Sequence, residues 1–203
     1  MGVVTRLFSV TLTDEHFVLG LKFRPGGFRP FMQQPVSTLT NRTVPLSAIF
    51  PHVDEPRLRQ LADAADGGAV MEALEALLRE AAPPADPQLE EVSRMTDRIA
   101  TDPTILAVEH AARLFGTSPR SLQRVFRTYV GVGPKWIIRL YRIKEAAARI
   151  EEGTIGTWAD LALQLGYADQ AHFVNDFSRI VGRSPARYAG AVTRAGASGV
   201  RSG

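Results

Sequence analysis

Residues 111–134, AARLFGTSPRSLQRVFRTYVGVGP, share one pattern with residues 162–185, ALQLGYADQAHFVNDFSRIVGRSP, and this repetition indicates the fold. The shared positions lie at one offset of 51 residues: Ala111, Leu114, Leu122, Phe126, Gly131 and Pro134 recur as Ala162, Leu165, Phe173, Phe177, Gly182 and Pro185. Recurrence of apolar, glycine and proline positions at a fixed offset indicates one supersecondary unit that is used twice.

Each copy predicts a short helix, a tight turn and a second helix. In the first copy the short helix covers 108–115, and Ser118 is the expected N-cap of the second helix, with Pro119 at its first position. In the second copy the short helix covers 158–165, and Asp169 takes the capping position. The glycines that follow, Gly131 and Gly182, are expected to end the second helices.

The second helix of the first copy has two different faces. Its apolar stripe consists of Leu122, Phe126 and Tyr129, and its basic stripe of Arg120, Arg124 and Arg127, each at i, i+4 and i+7. Arginine can bind the edge of guanine with two hydrogen bonds, and glutamine or asparagine can bind adenine in the same way. The pattern therefore predicts a helix-turn-helix whose second helix reads DNA.

A long helix is predicted between the two copies, at residues 134–151. Proline at its start and the apolar residues Trp136, Ile137, Leu140 and Ile143 indicate a rigid spacer. A spacer that holds two reading helices about one turn of B-DNA apart would let one chain contact two successive major-groove segments.

Residues 88–190 resemble the DNA-binding domain of the AraC/XylS family of bacterial transcription regulators. The resemblance rests on SPRSLQRVF at 118–126 with GVGPK at 131–135, and on LALQLGYADQAHF at 161–173 with Phe177 and GRSP at 182–185. It implies a mainly α C-terminal domain with two helix-turn-helix units, at about 105–131 and 157–182, joined by the helix 134–151.

The resemblance also implies which residues contact DNA. Base contacts are expected from Arg120, Gln123 and Arg124 in the first unit, and from Gln170, Ala171, His172 and Asn175 in the second. Position near the helix ends, rather than the resemblance, indicates phosphate contacts for Arg127, Arg179 and Arg183. Ser118 and Ser121 complete the candidate interface. Because Ala171 and Val174 have little hydrogen-bonding capacity, we expect the second unit to read DNA more weakly than the first.

The N-terminal part predicts a small α+β portion. Val10–Leu12 and Phe17–Phe23 are typical of short strands, a turn follows at 24–27, and helices are expected at 56–65 and 69–81. The segment GLKFRPGG, residues 20–27, resembles the end of a sensor region found in one branch of the family. We therefore predict a partial, truncated sensor or dimerisation region at 1–82, a linker at 83–87, the DNA-binding domain at 88–190 and a disordered tail at 191–203.

Composition excludes several classes of site. The chain has no cysteine and four scattered histidines, which argues against disulfides, cysteine nucleophiles, a metal site and the cysteine alkyl acceptors to which this fold can be fused. No paired carboxylates or nucleophile constellation indicates an enzyme, and no cofactor is expected. Residues 1–95 hold 9 basic and 12 acidic residues, net −3, whereas 96–203 hold 15 and 9, net +6. The basic half therefore suits a polyanion.

The expected function is a sequence-specific regulator of transcription that binds double-stranded DNA. RNA polymerase, a small-molecule effector bound by the N-terminal region and a second copy of the chain are further expected partners. Neither a membrane span nor a secretory signal is found in the sequence, so a cytoplasmic, nucleoid-associated location is expected. The alternative is a small-ligand or protein-interaction module in which the basic domain is auxiliary.

Overall fold

The computed structural model describes residues 2–5, 20–51, 53, 56, 59, 67–81 and 85–199. In this part of the chain α-helices dominate. They are α1 (Gly67–Glu80), α2 (Pro87–Thr101), α3 (Val108–Leu114), α4 (Pro119–Tyr129), α5 (Pro134–Glu151), α6 (Trp158–Gln164), α7 (Gln170–Val181) and α8 (Pro185–Gly199). Three short 3-10 helices, Arg29–Phe31, Val36–Leu39 and Leu46–Ala48, precede them.

The chain divides into two compact units. One comprises residues 1–4, 8–94 and 124–132, and the other comprises residues 5–7, 95–123 and 133–203. The boundary at 123/124 falls inside α4, so the second half of this helix belongs to the same unit as the N-terminal region.

The first unit is held together by several small apolar clusters. In one cluster Leu77 of α1 packs with Phe50 and Val53, and all three are buried. Gly26, at φ +85°, forms the turn predicted at 24–27, and the position where a Cβ would lie is 3.0 Å from a methyl carbon of Leu89. Only glycine combines this backbone conformation with such close packing.

In the second unit, a cluster of buried residues lies beneath the second helix-turn-helix. It is built from α5, α6 and α7, whose apolar stripes face one another. Its buried members are Ile143, Ala146, Ile150, Leu161, Ala162, Leu165, Tyr167, Phe173 and Phe177. The aromatic rings of Phe173 and Phe177 lie edge to face with centroids 5.8 Å apart.

The α+β prediction for the N-terminal portion is not supported. Val10–Leu12 and the first part of the second expected strand lie outside the described residues, and residues 20–23 are irregular. No strand occurs in the described part of the chain, so residues 20–23 have no ladder partner there. Instead, Phe23 packs edge to face against Phe28, at 5.0 Å between ring centroids.

The helix expected at 56–65 is described only in part, and the C-terminal tail differs from its prediction. Of the helix expected at 56–65, only Pro56 and Arg59 are described, and both are helical. The tail expected to be disordered from residue 191 is helical to Gly199, where α8 ends. Alanine recurs along this segment and has the highest helix propensity of all residues, which explains the longer helix. None of the described helices has the length and apolar character needed to cross a membrane.

Candidate nucleic-acid interface

The first helix-turn-helix turns at Gly116. This residue has φ +63°, and the backbone N–H of Thr117 donates to the carbonyl of Ala112 at 2.9 Å. The helix α4 then starts as predicted, because the Ser118 hydroxyl oxygen accepts the backbone N–H of Ser121 at 3.1 Å. The cap occupies one of the donors that a helix N-terminus leaves unpaired, so it fixes where the candidate reading helix begins.

The second helix-turn-helix repeats this geometry around Gly166, at φ +77°. The backbone N–H of Tyr167 donates to the Ala162 carbonyl at 3.0 Å. Asp169 is the predicted cap, and its Oδ1 accepts the backbone N–H of His172 at 2.7 Å. The two turns use equivalent backbone hydrogen bonds, which supports the inference of one unit used twice.

The structure corrects the alignment of the two copies before the turn. Equivalent turn bonds and helix starts lie 50 residues apart, so Ala112 corresponds to Ala162 and Phe115 to Leu165. From the caps onward the offset is 51, because the second turn contains one additional residue before its cap. The predicted pairing of Leu114 with Leu165 is therefore wrong, and Leu114 is exposed while Leu165 is buried.

The basic face of α4 lies on the surface, opposite the apolar stripe. Leu122 and Phe126 are fully buried, whereas the exposed side chains are those of Arg120, Gln123, Arg124 and Arg127. Ser118 is exposed as well, and its hydroxyl donates to the partly buried hydroxyl of Ser121 at 3.0 Å. This face offers guanidinium and amide groups, which suit base edges and phosphates.

The corresponding face of α7 is also exposed. Its exposed candidates are Gln170, Ala171, His172, Asn175 and Arg179, and the buried aromatic pair Phe173 and Phe177 lies on the opposite side. Arg179 is not a free cation, because its Nη2 donates to Oδ1 of Asp176 at 2.9 Å. The sequence prediction missed this intramolecular partner.

Asp176 lies on α7 and contacts three basic side chains, one of which, Arg139, lies on α5. Its side chain is only 7 % exposed, and its Oδ2 lies 3.2 Å from Nε of Arg139 and 3.7 Å from Nε2 of His172. Arg139, on the spacer helix α5, also reaches Nε2 of His172 at 3.3 Å. Neither Asp176 nor Arg139 was predicted from the sequence. The available signal was an acidic residue, Asp176, placed between two buried phenylalanines of α7.

Tyr167 lies beside the same carboxylate. Its ring meets that of His172 edge to face, at 5.2 Å between centroids. Burial, and after it the negative charge of Asp176, raises the pKa of Tyr167 to about 12. Both effects disfavour the phenolate, so this tyrosine stays neutral over the physiological range.

The end of α4 packs against the N-terminal region within the first unit. The hydroxyl of Tyr129 donates to Oδ2 of Asp86 at 2.6 Å, and the guanidinium carbon of Arg29 lies 5.8 Å from the centre of its ring. The Thr40 hydroxyl donates to the Gly131 carbonyl at 2.5 Å. Burial, then the hydrogen bond to Asp86, raises the pKa of Tyr129. The N-terminal region therefore directly supports one end of a candidate reading helix.

Comparison with known protein families identifies the doubled unit. Residues 111–191 match the model of a helix-turn-helix domain, and residues 1–45 match the model of a domain of unknown function. The first match contains both candidate reading helices and the spacer between them. The second covers the start of the region predicted to be a partial sensor, and its description assigns no activity.

A curated relative of this chain is also a protein of the helix-turn-helix type. Over 74 residues the chain is 34 % identical to the HTH-type transcriptional regulator GlxA of Rhizobium meliloti (strain 1021). The similar region makes up 36 % of this chain and 22 % of the relative, so the chain spans about a fifth of that protein's length. No solved structure matches the chain.

Proposed function

We propose that the chain is a regulator of the AraC/XylS family, which binds double-stranded DNA sequence-specifically through its helix-turn-helix domain and so regulates transcription. The observation that carries the proposal is the pair of capped helices, α4 and α7. Each buries aromatic side chains on one side and exposes basic or amide side chains on the other. Such a helix fits the major groove of B-DNA, where base edges can be distinguished.

The residues of α4 divide into two roles. Arg120, Gln123 and Arg124 lie in the first half of the helix, and we assign them to base edges because the N-terminal part of a recognition helix enters the groove. Arg127 lies nearer the C-terminal end, so we assign it to a phosphate. Ser118 and Ser121 act through the cap that they form.

The second reading helix, α7, contributes fewer base contacts in this proposal. Ala171 offers a methyl group, which can contact the thymine methyl but cannot form a hydrogen bond. Gln170, His172 and Asn175 keep their hydrogen-bonding groups on the surface. Arg179 forms an ion pair with Asp176, so its contact with a phosphate is weaker than that of an unpaired arginine.

Selection of bound duplexes from a random library, followed by affinity titration with the full chain, tests this function. We expect one enriched sequence, with an affinity that falls steeply as salt is raised. Replacing Arg124 by alanine should cost about 1–3 kcal/mol and relax the preference at one position. The matched control is Arg79→Ala, which removes an exposed arginine from α1, outside the helix-turn-helix domain. A library that shows no enrichment would overturn the proposal.

The other partners stay predictions. The apolar stripe of α1 is the candidate surface for a second copy of the chain, but Val70, Leu74 and Leu77 of this stripe are buried in the chain itself, while Met71 is exposed. A dimer through α1 would therefore depend on Met71, and light scattering of Met71→Lys tests it. The small-molecule effector, RNA polymerase and the cytoplasmic location belong to the same proposal.

A further inference from the structure

The hydrogen bond between Arg139 and His172 determines which nitrogen of the imidazole carries the proton. A guanidinium has only donors, so Nη2 of Arg139 donates and Nε2 of His172 accepts, at 3.3 Å. A neutral imidazole whose Nε2 accepts must carry its proton on Nδ1. His172 is therefore held as the Nδ1–H tautomer, and its second ring nitrogen is a donor.

We propose that Arg139 and Asp176 are positioning residues that make His172 a specific reader of hydrogen-bond acceptors on DNA bases. The proposal rests on the DNA-binding function proposed above. With Nε2 turned toward Arg139 and Asp176, Nδ1 is the ring nitrogen that this network leaves for DNA. The side chain of His172 is 45 % exposed and lies in the first turn of α7, where a recognition helix meets base edges.

Asp176 supplies the fixed point of this arrangement. Its Oδ2 lies 3.2 Å from Nε of Arg139, while its Oδ1 accepts a hydrogen bond from Arg179 at 2.9 Å. Each carboxylate oxygen thus faces one arginine, and the carboxylate is almost completely buried. The ion pair with this buried carboxylate keeps the guanidinium of Arg139 beside α7, where its Nη2 reaches Nε2 of His172. The tautomer therefore depends on a contact made from the spacer helix α5.

The Nδ1–H donor of His172 limits which bases this residue can recognise. In the major groove, guanine N7 and O6, adenine N7 and thymine O4 accept hydrogen bonds, whereas cytosine offers the N4 amino donor. We expect His172 to face an acceptor and to reject cytosine at one position. The opposite tautomer would present an acceptor and would favour an amino group.

The tautomer can be measured without DNA, by nitrogen NMR of the full chain labelled on its histidine rings. The pH is set about two units above the ordinary histidine pKa, and His172→Gln identifies the signals of His172. We expect the proton on Nδ1 in the wild type and a shift toward Nε2–H in Arg139→Met and in Asp176→Asn. Nε2–H as the main form of the wild type would overturn the proposal, as would tautomers unchanged by both substitutions.

Binding selection provides the second readout, and it separates positioning from a merely structural role. His172→Ala, Arg139→Met and Asp176→Asn should all relax the same base position, by about fivefold to tenfold, as for one base-edge contact. A structural role would weaken all sequences equally and leave the preferences unchanged, which contradicts the proposal. If adenine is selected there, its 7-deaza analogue should weaken binding of the wild type but not of His172→Ala, because N7 is the major-groove acceptor of adenine. If the tautomer of His172 is unchanged in both variants, this inference fails. If the library shows no enrichment, the proposed function fails instead.

Discussion

Arg142 is a buried cation whose hydrogen bonds all lie within the second unit. Its side chain is 4 % exposed, and Nη1 pairs with Oε2 of Glu145 at 2.5 Å. Its Nη2 donates to the carbonyl of Ile99 at 3.2 Å and to that of Asp102 at 3.1 Å. These carbonyls lie at the C-terminal end of α2, where the helix leaves acceptors unpaired and the dipole favours a positive charge.

Replacing Arg142 by alanine should therefore lower the free energy of unfolding by roughly 2–3 kcal/mol. The loss arises because two carbonyls lose a charged donor and Glu145 loses one of its two arginine partners. Urea unfolding followed by circular dichroism measures the change. Lys135→Ala, at an exposed position of the same helix, is the control and should change the free energy by less than about 0.5 kcal/mol. Equal effects of the two substitutions would contradict this account of Arg142.

The cap of α7 gives a second prediction about a single residue. Asp169→Ala removes the acceptor of the His172 backbone N–H and should cost about 1 kcal/mol of stability. Asp169→Ser keeps a capping oxygen and should retain most of that stability. Thermal unfolding of the two variants beside the wild type compares them directly. An alanine variant as stable as the serine variant would mean that the cap does not define this helix start.

The raised pKa of Tyr167 predicts how the free energy of unfolding changes at alkaline pH. Its pKa is raised from 10.0 to about 12 in the folded chain, so the unfolded chain releases this proton first. The contribution is fully present below pH 10 and is lost as the pH rises through about 12. Tyr167→Phe has no phenol to ionise there, so its stability should fall less than that of the wild type between these values. Parallel pH profiles from urea unfolding would refute the assignment.

At the scale of elements, capping residues and apolar periodicity allowed the second helices of both units to be predicted. Ser118 and Asp169 predicted the starts of α4 and α7, since the capping interaction is local and depends on adjacent residues. The helix α5 covers the same residues as the predicted spacer, 134–151, because Pro134 and the apolar stripe define it. Local signals of this kind require no knowledge of tertiary structure.

The sequence-based predictions fail where contacts between distant residues, rather than local sequence, determine the structure. A single offset of 51 could not reveal the additional residue in the second turn, because Ala111 and Ala112 align with Ala162 at 51 and at 50 respectively. The partners of Asp176 come from α5 and α7, which are distant in sequence, so no local pattern indicates the tautomer of His172. The α+β expectation depended on apolar runs alone, and a strand also needs a neighbouring strand.

At the scale of the whole molecule, the N-terminal region packs against the end of α4, the first candidate reading helix. Within the first unit, Val36 packs against Gly131, whose absent Cβ would lie 3.1 Å from a methyl carbon of Val36. Thr40 donates to the Gly131 carbonyl, and Arg29 lies over the ring of Tyr129. Since Gly131 has φ +91°, a larger residue would be strained as well as crowded. The residues that follow α4 therefore pack closely against the N-terminal segment.

A fragment of residues 85–199 should therefore bind DNA less well than the full chain, with the loss concentrated in the bases read by α4. The fragment keeps Asp86, Tyr129 and all of α7 but lacks Arg29, Val36 and Thr40. Binding selection with both proteins should show relaxed preference at the positions altered by Arg124→Ala and unchanged preference at the position altered by His172→Ala.

The full-length variant Tyr129→Phe provides a milder perturbation of the same support. It removes only the hydrogen bond to Asp86, at a cost of about 1 kcal/mol, and should weaken the same positions as the fragment to a smaller degree. Tyr141→Phe is the matched control, because Tyr141 lies on α5 in the other unit, and it should leave the selected sequence unchanged. If the fragment selects the full sequence with undiminished preference, the N-terminal region does not support α4, and its packing against Gly131 and Tyr129 serves only its own stability.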